Sequence, residues 1–235
     1  MPTIPNLDVS KKINHSPHVV ILGAGASYAA FPKGDRNGLK LPLMNNLVCV
    51  LGIESVFSKH GIEYSGDNFE ATYDALVCSG NYSELVHEIE MLVESYFSEM
   101  LLPDEVTIYD YLVLSLRPKD IIATFNWDPF LAQAFQRNMD VIGFKNMPQI
   151  AFLHGNVAMG LCVDCKSKGW RYNTCDSCNK QFEQSKLLYP VSNKDYSKDE
   201  FIASEWERLQ TYIKYSYFIT IFGYSAPITD VEAKK

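Results

Sequence analysis

The sequence predicts an α/β fold with a parallel sheet, a long helical insertion and a small four-cysteine module. Four short apolar segments, rich in β-branched residues, each end in small or polar residues, at positions 18–27, 120–129, 149–155 and 217–226. Amphipathic helical patterns lie between these segments, as in alternating strand–helix folds. Two Cys-x-x-Cys pairs follow the third segment and are separated by nine residues.

Composition and charge limit the classes of protein that the chain can represent. Its 235 residues, 47% of them hydrophobic, suit one domain with a small insert. The net charge of −7 gives no long-range attraction to nucleic acid or acidic membranes. Residues 1–14 lack the apolar core of a signal peptide, so we expect a cytoplasmic protein. We divide the chain into a lead-in at 1–17 and a domain at 18–235, with the helical insert at 39–117 and the cysteine module at 160–182.

The first strand, His18–Leu22, runs directly into a turn of small residues at positions 23–27. The first amides of the helix that follows lack partners and favour anions. Gly23 and Gly25 allow a tight turn and the close approach of a pyrophosphate. A plain strand–helix turn is the alternative. Residues 31–38 are dense in turn formers and predict an exposed loop, either a connector or a cover for a ligand.

Helical patterns cover residues 39–51, 69–77, 82–102 and 107–116, so about 80 residues separate the first strand from the second. A dehydrogenase-type dinucleotide unit returns to its second strand sooner and places an acidic residue there for the ribose. This chain has no such residue at the expected position. The pattern therefore argues against an ordinary NAD-dependent dehydrogenase.

Chemistry-bearing residues stand where the later strands end. Asn126 and Asp128 follow the strand at 120–124, and His154 follows the strand at 149–153. Ser225 follows the segment at 217–222, whose pattern predicts a buried strand. The carboxyl ends of parallel strands meet at one edge of a sheet, where ligands bind. Asp128 also suits a helix N-cap before Pro129, and a lone histidine is often structural. The pattern at residues 187–191 predicts either a short strand or a wall of the site.

The cysteine pairs are the most specific motif in the sequence. Two Cys-x-x-Cys knuckles present four thiolates to one tetrahedral ion, which indicates structural zinc. Four sulfur ligands leave no open coordination position, so we expect the metal to stabilise the fold without touching substrate. The predicted ligands are Cys162, Cys165, Cys175 and Cys178.

The order of these motifs resembles the sirtuin superfamily, and most closely the sirtuin-like NAD-consuming proteins of bacterial defence. The motifs are Gly-Ala-Gly-Ala-Ser at 23–27, Thr-Phe-Asn-Trp-Asp at 124–128, Leu-His-Gly at 153–155, the cysteine module, and Gly-Tyr-Ser at 223–225. The resemblance implies a Rossmann-like NAD-binding domain with a small zinc module. It also implies NAD⁺ as a substrate, structural Zn²⁺, and other domains or defence-system subunits as partners.

The resemblance assigns roles to individual residues. Asn126 would position the nicotinamide ribose and the attacking nucleophile, Asp128 would lie near the carboxamide, and His154 would be the general base. The remaining contacts would hold the phosphates, through Gly23, Ala24, Gly25, Ser27, Gly223 and Ser225.

Two departures from the family pattern narrow the expected activity. The Gly-Ile-Pro-Asp-Phe-Arg segment of protein deacylases is missing at residues 34–42, and their Phe-Gly-Glu element is replaced at residues 189–196. We therefore predict hydrolysis of NAD⁺ to nicotinamide and ADP-ribose, as in antiphage defence. The alternatives are an NAD-dependent protein deacylase, a non-catalytic sensor of NAD or ADP-ribose, and a zinc-braced interaction domain.

Overall fold

The computed structural model describes residues 15–64, 66, 68–191, 196 and 199–226. Its seven strands are β1 (His18–Leu22), β2 (Ile121–Thr124), β3 (Gln149–Phe152), β4 (Met159–Cys162), β5 (Ser167–Trp170), β6 (Glu183–Gln184) and β7 (Phe218–Phe222). The main sheet has the order β3-β2-β1-β7 and all its pairs are parallel. Leu22 lies opposite both Thr124 and Phe222, so the carboxyl ends of the strands meet at one edge. The predicted α/β fold is confirmed. Residues 1–14 of the predicted lead-in lie outside the described part.

Helices follow the predicted order with shifted boundaries, except that the helix at Ile53–Lys59 was not predicted. They are α1 (Ala24–Ala30), α2 (Leu47–Leu51), α3 (Ile53–Lys59), α4 (Phe69–Ser79), α5 (Ser83–Ser98), α6 (Ile108–Ser115), α7 (Phe130–Ile142) and α8 (Glu200–Tyr215), with a 3₁₀ turn at Phe144–Asn146. Within the described residues, no helix combines the length and apolar character needed to span a bilayer.

The helix predicted over residues 39–51 is wrong in its first half, because α2 begins only at Leu47. Pro42 lacks an amide donor, and the Asn46 side chain accepts a hydrogen bond from Leu43 N at 2.7 Å, which closes a turn in place of a helical repeat. The extended stretch that results reaches the carboxyl edge of the sheet.

The loop at residues 31–38 is also less exposed than predicted. Phe31 and Asp35 are buried. The Asp35 carboxylate accepts hydrogen bonds from three amides, Asn37 N at 2.7 Å, Leu39 N at 2.8 Å and Leu101 N at 3.0 Å. These bonds hold the loop in place and join it to Leu101, three residues after α5. The loop is therefore an ordered connector.

A third expectation is also wrong, since the pattern at 217–222 predicted a buried strand and β7 is largely exposed. Phe218 is 58% exposed and Ile221 is 62% exposed. The apolar pattern is that of a buried parallel strand, but β7 stands at the edge of the described sheet and pairs there with β1.

The small antiparallel sheet β5-β4-β6 carries the cysteines and is attached to β3 through a buried ion pair. Lys168 Nζ on β5 lies 2.9 Å from both carboxylate oxygens of Glu205 on α8 and donates to Ile150 O at 2.8 Å. Glu205 is fully buried and also accepts from Phe152 N at 2.8 Å. This cluster joins the cysteine module, α8 and β3.

We expect Lys168→Ala to lower the free energy of unfolding by about 3 kcal/mol, because it leaves the buried Glu205 charge with only the more distant Arg208 Nη2, at 3.8 Å. Urea unfolding measures the effect. The exposed pair of Lys166 and Glu200 provides the control, and Lys166→Ala should cost less than about 1 kcal/mol. A Lys168→Met, Glu205→Gln double variant should recover part of the loss, because it removes the buried charge and keeps an acceptor for Phe152 N. Equal costs for the two alanine variants would contradict the buried-pair interpretation.

Candidate active site

A cavity of about 470 Å³ opens at the carboxyl edge of the main sheet. It brings together most of the predicted site residues, which are Ala24, Gly25, Asn126, Asp128, His154, Gly223 and Ser225. Gly23 and Ser27 do not line it, although Ser27 contacts residues that do. The side chains predicted to act together therefore share one pocket.

Other cavity walls were not predicted as site residues. The stretch that precedes α2 forms one side through Leu41 and Met44, together with Leu47, the first residue of that helix. The segment at 187–191, for which a strand or a wall was predicted, supplies Leu188 and Pro190 and forms a wall. These apolar residues carry no chemical motif, and only the tertiary fold brings them beside the polar strand ends.

The Ser27 hydroxyl is the centre of a buried hydrogen-bond network. Ser27 Oγ donates to Asp128 Oδ2 at 2.7 Å and accepts from Asn126 Nδ2 at 2.9 Å. A third neighbour, Tyr109 OH on α6, lies at 2.6 Å. A serine hydroxyl has one proton and two lone pairs, so once its proton goes to Asp128, Tyr109 must be the donor. Burial raises the pKa of Tyr109, and the Asp128 charge adds to this, which keeps the phenol protonated.

This network fixes the orientation of the Asn126 amide. Nδ2 is committed to Ser27, so Oδ1 faces the other way. Asn126 lines the cavity, is 7% exposed, and its Oδ1 has no hydrogen-bond partner in the part of the chain that the structure describes. Asn126 Oδ1 is therefore a buried, uncharged acceptor of fixed orientation whose hydrogen bond the described residues do not supply.

The Asp128 carboxylate contacts both the start of α7 and the Ser27 hydroxyl, and its role near the carboxamide stays a prediction. Its Oδ1 accepts from Phe130 N at 3.2 Å, beside the N-cap residue Pro129, and its Oδ2 accepts from Ser27. Burial raises the pKa of Asp128 to about 6, although the hydrogen bonds from Ser27 and Phe130 favour the charged form. Asp128 is therefore mostly ionised at neutral pH, but burial makes the charged form less favourable than it is in water.

The raised pKa of Asp128 makes stability depend on pH. Between about pH 4 and pH 6 the folded chain holds a proton that the unfolded chain releases, so this residue's contribution to stability falls as pH rises. Asp128→Asn should remove that slope and add at most about 3 kcal/mol at pH 7. Urea midpoints of both proteins from pH 4 to 7 measure the difference. Parallel curves would contradict the prediction.

Asn156 is a site residue that the sequence analysis missed. It is fully buried, and its Nδ2 donates to Asp128 O at 2.7 Å and Asn126 O at 3.3 Å. Its own backbone is held by Ser185, whose Oγ accepts from Asn156 N at 3.0 Å. Asn156 therefore fixes the backbone of residues 126–128 from the segment after β3. Its position two residues after His154 was the available signal.

His154 lies just beyond β3, is 6% exposed and lines the cavity. Its ring packs edge-on against Phe125 with centroids 4.8 Å apart, and Phe125 stacks on Tyr224 at 4.3 Å. Gly155 has a φ of 75°, and a Cβ there would lie 1.9 Å from Lys186 O, so only glycine fits behind the histidine. The imidazole is held firmly at the sheet edge.

The glycine turn has a different structural basis from the predicted anion cradle. Gly23 N donates to Phe222 O and Gly25 N to Gly223 O, both at 3.0 Å. A Cβ on Gly23 or Gly25 would lie 2.6 Å or 2.9 Å from Gly223 O. These glycines are therefore required because the turn packs on the end of β7, and their two amides are already used. Phosphate binding by the turn and by Ser225 stays a prediction.

The four predicted cysteines form the expected cluster, with their sulfur atoms all within 4.8 Å of one another. Cys162 Sγ and Cys178 Sγ are 3.4 Å apart. Zinc–thiolate bonds of about 2.3 Å place the sulfurs of a tetrahedral site about 3.8 Å apart. The donor set and its spacing fit Zn²⁺ with no open coordination position. None of the four cysteines lines the cavity.

The solved structures that are similar to this chain include several of Sir2 proteins. No family model matches the sequence, and no curated protein matches it. A mutant Sir2 homologue with 2′-O-acetyl ADP-ribose shares 13% identity over 96% of this chain and 77% of that chain, with a TM-score of 0.48. A mutant Sir2 homologue with ADP-ribose shares 12% identity over 96% and 78%, with a TM-score of 0.46. Sir2 with an inhibitor, 2′-O-acetyl-ADP-ribose and a deacetylated p53 peptide shares 15% identity over 97% and 80%, with a TM-score of 0.43. All are Sir2 proteins, the superfamily that the motif order resembles; at these scores they assign no activity to this chain.

Proposed function

We propose that the chain is an NAD⁺-consuming enzyme that hydrolyses NAD⁺ to nicotinamide and ADP-ribose. The observation that carries the proposal is the shared cavity, in which the oriented Asn126 amide, the buried Asp128 carboxylate and His154 converge. A cavity of about 470 Å³ with few polar groups suits part of a dinucleotide. The bacterial defence setting implied by the motifs belongs to the same proposal.

The chemistry follows from the bond that breaks. The nicotinamide–ribose bond joins a cationic leaving group to an anomeric carbon and breaks through an oxocarbenium-like state. Its electron pair goes to the ring nitrogen, while a water oxygen forms the new bond to the anomeric carbon. Asn126 Oδ1 accepts a hydrogen bond from that water or from a ribose hydroxyl, and His154 takes the released proton. An uncharged amide orients these groups without opposing the cationic state.

The metal site has a supporting role in this proposal. Zn²⁺ held by the four cysteines would brace the β4–β5–β6 sheet, and through Lys168 and Glu205 it would support β3. A structural zinc of this kind supplies folding energy and no chemistry on the substrate.

The test is incubation of the zinc-loaded protein with NAD⁺ alone and with NAD⁺ plus an acyl-lysine peptide. We expect equal amounts of nicotinamide and ADP-ribose without peptide. Release that requires the peptide and yields O-acyl-ADP-ribose would instead identify a deacylase. Calorimetric binding of NAD⁺ without any product over hours would identify a sensor.

Tyr109→Phe should lower kcat for nicotinamide release roughly tenfold while changing KM less than about twofold. The phenol does not line the cavity, but it donates to Ser27, which in turn holds the Asn126 amide. Steady-state kinetics measure the split. Tyr111→Phe on the same helix is the control, since Tyr111 is 65% exposed. A loss of thermal stability with unchanged kcat would make Tyr109 purely structural.

A further inference from the structure

Trp206 is a buried aromatic residue on α8 to which the proposed reaction gives no role. The helix begins after Asp199, whose side chain accepts from Ile202 N at 3.1 Å, and it packs against β3. Helical spacing places Glu205 and Trp206 on its buried face. Trp206 is 6% exposed and does not line the cavity. Any effect of this side chain on catalysis must therefore pass through residues that line the cavity.

The indole N–H holds the backbone next to His154. Trp206 Nε1 donates to Leu153 O at 2.9 Å, and Leu153 is fully buried. On the other side of the same segment, His154 O accepts from Leu188 N at 2.9 Å. A buried carbonyl that loses its donor is destabilised, so this hydrogen bond resists movement of the peptide that joins Leu153 to His154.

The indole also packs against two aromatic rings that contact the imidazole. Its ring centroid lies 5.9 Å from that of Phe125 and 5.0 Å from that of Tyr196, and both contacts are edge-on. Those two rings lie 4.8 Å and 6.2 Å from the His154 ring. One side chain on α8 therefore supports both the backbone that carries the imidazole and the rings that pack against it.

We propose that Trp206 is a positioning residue for His154, which holds the imidazole where it takes the proton from the attacking water. The inference rests on the proposed NAD⁺ hydrolysis, in which His154 is the general base. A general base acts only within hydrogen-bond reach of the proton, and a displacement of about 1 Å costs about 100-fold in rate. A residue that positions the base should therefore affect kcat and leave substrate binding unchanged.

The experiment compares nicotinamide release from NAD⁺ by wild type, Trp206→Phe and Trp170→Phe. Phenylalanine keeps an aromatic ring at position 206 and removes the N–H that Leu153 O accepts. We expect Trp206→Phe to lower kcat about tenfold and to change KM less than about twofold. Trp170→Phe is the same exchange on β5, outside the cavity, and should leave both constants unchanged.

A second background separates positioning of the base from a general loss of stability. His154→Ala lacks the base, so adding Trp206→Phe to it should lower the residual kcat by less than about twofold. Melting temperatures of all variants are measured in parallel, and kcat is measured well below each of them. If Trp206→Phe does not fold, 3-benzothienylalanine at position 206, which has sulfur in place of the N–H, takes its place.

The outcomes separate this inference from the proposed function. An unchanged kcat in folded Trp206→Phe, a rise in KM alone, or the same fold-loss in both backgrounds would overturn the positioning role while the hydrolysis stands. A wild type that releases no nicotinamide from NAD⁺ would overturn the proposed function and this inference together.

Discussion

Asn126→Ala is expected to lower kcat for nicotinamide release by roughly 10²–10⁴-fold, with a melting temperature near that of wild type. The substitution removes the fixed acceptor Oδ1 from the cavity wall, and it also removes a hydrogen bond to Ser27. Rapid quench or continuous nicotinamide assays measure the loss. The large effect is expected because a misplaced water or ribose must be oriented again in every turnover.

Two further variants make this prediction specific. Asn146→Ala alters an exposed asparagine on the 3₁₀ turn and should leave kcat unchanged. His154→Ala should lower kcat by the same order as Asn126→Ala. The fold-loss in kcat of the double variant should be much smaller than the product of the two single fold-losses, because the effects of residues that act on one step are not additive. Retention of more than a tenth of wild-type kcat in Asn126→Ala would contradict the assigned role.

Removing the metal should have the second large effect, this time on folding. Structural zinc sites contribute about 10–16 kcal/mol of apparent binding free energy near neutral pH. We expect Cys162→Ser or a strong chelator to unfold the β4–β5–β6 module and to lower the melting temperature by more than about 10 °C. Cys162 is buried, whereas Cys49 is exposed and outside the cluster, so Cys49→Ser is the matched control. Zinc content by mass spectrometry together with thermal unfolding checks the result.

We expect loss of the metal to lower the activity only because it unfolds the protein. None of the four cysteines lines the cavity, but Lys168 connects their module to Ile150 on β3, and His154 follows that strand. Chelated protein should therefore lose nicotinamide release in step with its near-ultraviolet signal. Full activity of a metal-free, folded chain would contradict this account.

Local sequence patterns were sufficient to predict the sheet edge and the polar residues that meet there. Parallel strands must bring their carboxyl ends together, so Asn126, Asp128 and His154 could be assigned to one site from their positions alone. The cysteine cluster followed in the same way from ligand chemistry and spacing. These features depend on residues close in sequence to a strand end or to each other.

The remaining parts of the site depend on contacts between distant segments. Tyr109 reaches Ser27 across 82 positions, and Asn156 reaches the 126–128 segment from beyond β3. The use of the Gly23 and Gly25 amides could not be foreseen either, because it depends on how closely the end of β7 approaches the turn. Burial of β7 was predicted wrongly for the same reason: an apolar strand pattern does not say which strand stands at the edge.

In the part of the chain that the structure describes, the side of β7 away from β1 has no strand beside it, and this bears on handling of the protein. Phe218, Ile219 and Ile221 combine high β-propensity with exposure, and among the described residues the strand is paired along β1 only. An unguarded row of amides and carbonyls beside such side chains is a template for adding strands from other molecules. Where samples self-associate at high concentration, a lysine in place of Ile221 should act as a gatekeeper and reduce the association, which light scattering measures.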